Sequence, residues 1–496
     1  MDAVTSFAVN FIAVVGVIFL LVIAGLLTTA AVLYYQDKQQ TAQTIRRNYP
    51  LIGRFRYLFE HLGEFFRQYF FAMDREELPF NRAQRSWVYR AAKGVDNTIA
   101  FGSTKDLRKP GTYYFLNCPF PTLEEDAAPT QTMVIGPFCE QPYEAASFFN
   151  ISGMSYGALS KPAVQALSRG AAKAGCWMNT GEGGLSPFHL EGGCDLVYQI
   201  GTAKYGVRDA EGQLSDEKLK EKASIGQVKM FEIKLSQGAK PGKGGILPAE
   251  KVNRDIAEIR GIPEGKASIS PNRHPDIGSV ADLLDMVERV RRVTGKPCGF
   301  KLVLGTTAWI DEFCQTVIER GIERAPDFIT LDSADGGTGA APMPLMDNVG
   351  LPLRESLPLL VDKLAQHGLR SRVRLVVSGK MINPTDVAAA ICLGADFVVS
   401  ARGFMFSLGC IQALQCNKNT CPTGITTHDP ELQQGLVPDD KAERVYKYHN
   451  KLVHEVEMIA HSCGAPEPRQ LKRHHAAVVL GDGQSVPLNI LYSDAS

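Results

Sequence analysis

Three closely spaced cysteines are the first residues whose type suggests chemistry. They are Cys410, Cys416 and Cys421, spaced Cys-x5-Cys-x4-Cys and followed by Pro422. Thiolates are soft ligands and the usual holders of iron–sulfur centres. Three of them point to a three-iron cluster with one cube corner empty. Zinc would want a fourth ligand, and His428 is the candidate nearby. Ordinary buried cysteines are the plain alternative, although the closing stretch CNKNTCPTG is polar and loop-like.

Glycine-rich clusters form the second group. DGGTG at 335–339, with Gly336 and Gly337, would let backbone approach a flat cofactor closely. SGK at 378–380 carries Gly379 and Lys380, and ARG at 401–403 carries Ala401 and Arg402. Late loops of this kind bind phosphate through backbone N–H groups, and the phosphate of flavin mononucleotide (FMN) fits. Turn glycines with no ligand remain the alternative for any one cluster. GAKPGKGG at 238–245 is not a P-loop, since it lacks the four-residue gap and the closing Ser or Thr. No G-x-G-x-x-G follows a strand, so no nicotinamide site of Rossmann type is expected. A flavin here would draw its electrons from elsewhere. Two charged residues complete the set. Glu182 lies in a glycine-flanked loop, and Lys234 ends an apolar strand. A buried lysine is costly, so it needs a partner or a task. For either residue alone, a structural ion pair is the simpler reading.

These residues need elements to position them. Eight short apolar or β-branched runs follow residue 147: 148–152, 176–180, 228–235, 267–270, 299–304, 328–332, 373–378 and 397–400. Amphipathic stretches lie between most of them, for example 161–174, 280–294, 309–320 and 384–393. Eight strands alternating with helices predict an α/β fold, a parallel (β/α)8 TIM barrel. The polar and glycine-rich clusters fall just past strand C-termini, where such barrels build their sites.

The rest of the chain sets limits. With 496 residues it exceeds one small core. Lys plus Arg equals Asp plus Glu at 53 each, so there is no basic excess for a general nucleic-acid binder. Eleven cysteines, scattered apart from that one cluster, in so long a chain argue for a reducing compartment rather than a disulfide scaffold. Residues 11–36 contain no charge and are almost wholly apolar. About 20 such residues cross a bilayer. Lys38, Arg46, Arg47, Arg54 and Arg56 follow, which predicts a single-pass anchor in the cell inner membrane with the remainder cytoplasmic. RFRYLFEHLGEFFRQYFF reads as an amphipathic helix, either at the membrane surface or packed on the barrel. The expected organisation is an anchor over 1–36, a linker and cap over 37–145, the barrel over 146–470 and a tail over 471–496.

At this point the motifs resemble a known family. ISGMSYGALS (151–160), NTGEGG (179–184), IKLSQGAKPGKGG (233–245), ISPNRHPDI (269–277), DGGTGAAP (335–342) and LGCIQALQCNKNTCPTGI (408–425) are similar to signature segments of the glutamate synthase family. The similarity is to its FMN-linked oxidoreductase barrel with a [3Fe–4S] cluster, over about 147–470. The resemblance implies cluster ligation by Cys410, Cys416 and Cys421. It implies flavin-ring contacts from Ser152, Gly153, Met154 and Ser155, and places Gln237 and Lys234 near the reactive edge. Gly379, Lys380, Ala401 and Arg402 would hold the FMN phosphate. Glu182 and Lys234 match the catalytic neighbourhood, and Arg254 matches a position near the 2-oxoacid carboxylates. The expected reaction is reduction of an imine of 2-oxoglutarate to an amino acid, in the class of oxidoreductases acting on CH–NH2 donors. The electrons would come from an external donor, either ferredoxin or an NAD(P)H reductase subunit. The family's glutaminase domain is not expected here, so the amine would be ammonia, the product of a glutaminase subunit, or methylamine. The family's His-His-Asp is replaced by Arg273-His274-Pro275-Asp276. The alternatives are a membrane-tethered FMN/Fe–S oxidoreductase acting on another substrate or a quinone, and a non-catalytic electron-transfer subunit.

Overall fold

The computed structural model describes residues 2–492. Residue 1 of the expected anchor and residues 493–496 of the expected tail lie outside them. The chain divides into two compact units, Met1–Ala83 and Gln84–Ser496.

The first unit opens with helix α1, Ala3–Gln39. Its stretch Thr5–Gln39 is long and apolar enough to cross a membrane. Two shorter helices follow, α2 (Thr44–Asn48) and α3 (Ile52–Phe66).

The second unit is built on a closed, eight-stranded parallel barrel. Its strands are β1 Phe149–Ile151, β2 Met178–Asn179, β3 Leu196–Ile200, β4 Val228–Lys234, β5 Cys298–Val303, β6 Phe328–Asp332, β7 Arg374–Ser378 and β8 Phe397–Ser400. Each pairs with the next, and β8 closes on β1 through Val398 opposite Phe149. The barrel expected from the alternating pattern is therefore present.

One strand differs from expectation. The run 267–270 is not a barrel strand. Ser268–Ile269 pairs antiparallel with Ile246–Leu247, a small hairpin outside the barrel. The missing barrel strand is Leu196–Ile200, whose five residues are all buried. A strand covered on both faces loses the alternation that marks a half-buried one.

The connecting helices carry their own start and stop signals. Ser160 caps Lys161–Ala174 by accepting from Ala163 N, and Gly175 ends that helix in the left-handed region. Ser279 and Gly295 bracket Val280–Thr294 in the same way. These caps satisfy end groups that the helix itself leaves unpaired.

The N-terminal end of the barrel is closed by a hairpin of Met133–Ile135 against Tyr143–Ala145. Its Ile135, Tyr143 and Ala145 join Trp177, Val197, Met230, Phe328, Val376 and Phe397 in one buried apolar cluster. Near the C-terminus, Ala476–Val479 pairs with Tyr113–Phe115 and with Ser485–Pro487 in a three-stranded sheet. The two ends of this unit are thereby tied together. With its floor filled by apolar side chains, the barrel leaves the C-terminal mouth for polar groups.

Candidate active site

A cavity lies at the C-terminal mouth, and loops after most of the strands contribute to it. Ser152, Gly153, Met154 and Ser155 line it after β1, and Glu182 after β2. Gln199, Lys234 and Lys301 reach it from β3, β4 and β5. Gly337, Gly379, Lys380, Ala401 and Arg402 line the far side, after β6, β7 and β8.

Its central feature is an ion pair. Lys234 Nζ donates to Glu182 Oε1 at 2.8 Å and also to the side-chain oxygen of Gln237. Both charged side chains are largely shielded from solvent. Burial pushes the Glu182 carboxyl up, but Lys234, Lys240 and Arg260 outweigh it and hold the group below its usual range. Glu182 is therefore a carboxylate. Only a bare backbone lets it sit there, since a Cβ on Gly245 would come within 2.5 Å of its Oε1. The backbone at Lys234 is itself supported, because His274 Nε2 donates to the Lys234 carbonyl at 3.0 Å. Burial pushes the His274 imidazole down to about 4, so it stays neutral.

Beneath this pair runs a polar layer that crosses the barrel. Glu232, buried on β4, accepts from Asn179 Nδ2 at 2.8 Å, from Gln199 Nε2 at 2.6 Å and from Thr330 Oγ1. Lys301 lies opposite Lys234 in register and pairs with Asp332 at 3.3 Å. Asp332 also accepts from Ser378 Oγ at 2.6 Å and from Gly238 N at 2.8 Å. Burial disfavours the Lys301 cation, but Asp332 and Glu232 more than offset it and raise its pKa. Buried charges are tolerated only with such partners.

Two residues expected to meet the flavin or the substrate are not brought to the cavity. Gly336 packs behind it, close to Gly238. Arg254 opens a short helix, Arg254–Arg260, and is exposed. The arginine that does line the cavity is Arg260, six residues on and 6% exposed. Its Nη1 donates to Ser268 Oγ at 3.1 Å, while its buried Nε has no hydrogen-bond partner. Lys240 lines the cavity as well and is equally buried. A buried donor left over beside two lysines suits an anionic ligand. The spacing of Ile256, Ala257 and Arg260 was the available signal, since all three share the buried face of the helix.

Of the three clustered cysteines, Cys416 lines the cavity, and Cys410 and Cys421 are buried. Among the described residues no group of three or more His, Cys, Asp or Glu side chains is gathered to hold a metal ion. The donor chemistry suits an iron–sulfur centre, but the thiols do not stand as a ready ligand set. The loop is linked to the cavity wall all the same. Lys251 Nζ donates to the Cys416 carbonyl at 2.7 Å. Arg402 donates to the Thr338 carbonyl at 2.6 Å, and its Nη1 lies 3.7 Å from Cys416 Sγ.

The far wall fits a phosphate-bearing cofactor. Arg402 supplies positive charge, Lys380 stands beside it with its Nζ paired to Asp335 at 3.1 Å, and Gly337 and Gly339 present bare backbone. A Cβ on Gly339 would meet nothing within 4 Å. Fold and site together define a (β/α)8 barrel whose charged groups converge at the mouth used for ligands and chemistry.

Similarity to known proteins narrows this class. Residues 115–466 match the conserved region in glutamate synthase. The chain is 40% identical to the glutamate synthase large subunit-like protein YerD of Bacillus subtilis (strain 168), over 92% of this chain and 94% of that protein. It is 35% identical to the archaeal-type glutamate synthase [NADPH] of Thermotoga sp. (strain RQ2), over 63% of this chain and 58% of that protein. A glutamate synthase large subunit-like protein of Rhizobium meliloti (strain 1021) is 32% identical over 66% of this chain and 74% of its own length. The chain belongs to the glutamate synthase family.

Proposed function

We propose that the barrel reduces an imine, formed from a 2-oxoglutarate-like acid and an amine, to the amino acid. The observation that carries this reading is the buried Lys234–Glu182 pair in one cavity with Lys240 and Arg260. Arg260 and Lys240 bind the substrate carboxylates by charge-assisted hydrogen bonds. Lys234 holds a proton against Glu182 and delivers it as the imine becomes an amine. Gln237 fixes the Lys234 ammonium from a second side. Ser152, Gly153, Met154 and Ser155 form the wall against which a flavin ring would rest, and Gly379, Lys380, Ala401 and Arg402 would take its phosphate. Bound there, FMN would supply hydride transfer to the imine carbon. The test is amino-acid formation from 2-oxoglutarate and ammonium under a chemically reduced electron donor. Flavin-loaded protein that turns over no 2-oxoacid with any amine would sink the proposal.

The lysines predict a pH limb. Burial, assisted by Lys234, lowers Lys240 to about 8 although Glu182 opposes the shift. As pH rises through that value, the cation that meets the carboxylate is lost. In free enzyme, kcat/KM for the 2-oxoacid should then fall about tenfold per pH unit. Lys240→Met should flatten this limb and raise KM at pH 7 by about 10- to 100-fold, the worth of one hydrogen bond to a charged group. A limb that persists in the variant would remove Lys240 from carboxylate binding.

The cysteine loop is proposed to hold a [3Fe–4S] cluster, and loading must draw its three thiols together. Anaerobically purified protein is expected to contain iron and acid-labile sulfide. Cys416→Ser should lose both while retaining flavin. Wild-type protein free of iron under those conditions would overturn the assignment.

We further propose that α1 is a single-pass anchor in the cell inner membrane, with the basic residues that follow it, and the rest of the chain, on the cytoplasmic side. The anchor favours a membrane-associated electron donor. It also supports a second reading, exchange of electrons with a quinone. Quinone-dependent flavin reoxidation in proteoliposomes, without turnover of a 2-oxoacid, would select that one.

A further inference from the structure

The residues just after α1 form a built joint. The Asp37 carboxylate is fully buried although it stands almost at the end of the apolar helix. Arg46 donates to its Oδ1 at 2.7 Å through Nη2 and at 3.0 Å through Nε. Arg54 donates to its Oδ2 at 2.8 Å, and the backbone N–H of Leu51 to the same oxygen at 3.1 Å. One carboxylate thus ties the end of α1 to α2 and to the first turn of α3. Contact between the two short helices is tight. A Cβ on Gly53 would lie 2.9 Å from the Arg46 Cα and from the Ile45 carbonyl.

The element held by this joint is amphipathic. At helical spacing, Ile52, Phe55, Leu58, Phe59, Phe65 and Phe66 fall on one arc, with Arg56, Glu60 and Glu64 opposite. Those six apolar side chains are all exposed, at 45% to 74%. So much contiguous apolar surface marks an interaction site. Two observations say what covers it. The joint ties the first turn of α3 to Asp37, within one turn of the end of the apolar span and two residues past the exposed Tyr34 and Tyr35, which stand where interfacial aromatics belong. Between residues 37 and 67 there are also six basic residues against three acidic ones, complementary to anionic headgroups.

We propose that α3 is a bracket lying in the headgroup–acyl boundary of the bilayer that α1 enters, locked in place by Asp37 and favoured by anionic lipid. This rests on reading α1 as a membrane span. It turns the anchor from a flexible tether into a fixed mount whose second foot is the aromatic face of α3.

The test uses the full chain reconstituted in phosphatidylcholine vesicles, with and without phosphatidylglycerol, carrying Phe59→Trp or Glu64→Trp. Brominated acyl chains should quench the added Phe59→Trp emission several-fold more than that of Glu64→Trp. Phosphatidylglycerol should strengthen the difference, and Asp37→Ala should reduce it. Equal quenching of the two positions, in protein that resists carbonate extraction, would overturn the bracket and point to coverage by the barrel or by a second copy. Unchanged quenching in Asp37→Ala would overturn the locking role of the joint, with Arg54→Met as the second variant for that point. An indifferent response to phosphatidylglycerol would overturn the preference for anionic lipid. Protein released by carbonate would instead sink the anchor reading itself.

Discussion

Lys234→Ala is expected to lower kcat for imine reduction by about 10³-fold, the middle of the range for losing a positioned proton donor. KM for the 2-oxoacid should change little, because the carboxylate contacts proposed for Arg260 and Lys240 are untouched. The geometry sets this expectation. Lys234 Nζ is held between Glu182 Oε1, at 2.8 Å, and Gln237. An ammonium fixed from two sides in a shielded site is oriented before substrate arrives, which is the condition for a large transition-state effect. Glu182→Gln should cost nearly as much, since it removes the counterion that keeps the lysine in place. The double variant should then be scarcely worse than either single one, as expected for residues acting as a unit. Steady-state kinetics with flavin content as the control checks all three. Full activity in Lys234→Ala would reduce the pair to a structural ion pair, and the proposed reaction would lose its proton donor.

Much of this arrangement was legible in the sequence because the loops carry it in short segments. Glu182, Lys234, Gln237 and Gly379 each sit in or beside a glycine-rich stretch that ends a strand, and the barrel mouth brings them together. What the sequence hides lies inside regular structure. Leu196–Ile200 shows no strand period because it is buried on both faces. Its Gln199, and with it Glu232 and Lys301, form the polar layer under the site. On a strand such residues look like interruptions of an apolar run, and only the closed barrel shows that they face one another. Ser268–Ile269 is the opposite case, since its alternation is that of a hairpin outside the barrel. Arg254 and Arg260 differ only in helical phase. The choice between them needs the direction in which Ile256 and Ala257 point. The three cysteines show a further limit. Spacing identifies a ligand type, but it does not say whether the thiols are already gathered.

The opposite end of the barrel carries charge with a different purpose, and Asp327→Ala is expected to expose it. Asp327 precedes β6 and is fully buried. Its Oδ1 accepts from Arg372 at 2.9 Å, and its Oδ2 from Cys298 N at 3.0 Å and from Cys139 Sγ at 3.3 Å. Arg291 adds a further contact at 3.6 Å. One carboxylate thus joins two strand starts to the turn of the hairpin that floors the barrel. Removing it strands the Arg372 guanidinium, itself 8% exposed, without its counterion. Breaking a buried pair from one side costs about 3–5 kcal/mol, a large share of a typical domain's stability. Heating while following release of bound flavin should show a clear drop in the unfolding midpoint. Asp327→Asn should lose less, because its amide oxygen can still accept from Cys298 N. Turnover per bound flavin should stay near wild type in both variants. Lys234→Ala should do the reverse, keeping stability and losing turnover. The N-terminal end of such a barrel serves stability and the C-terminal end serves chemistry, so the two substitutions test one division of labour from opposite sides. If Asp327→Ala lost turnover per flavin as steeply as Lys234→Ala, that division would not hold for this chain.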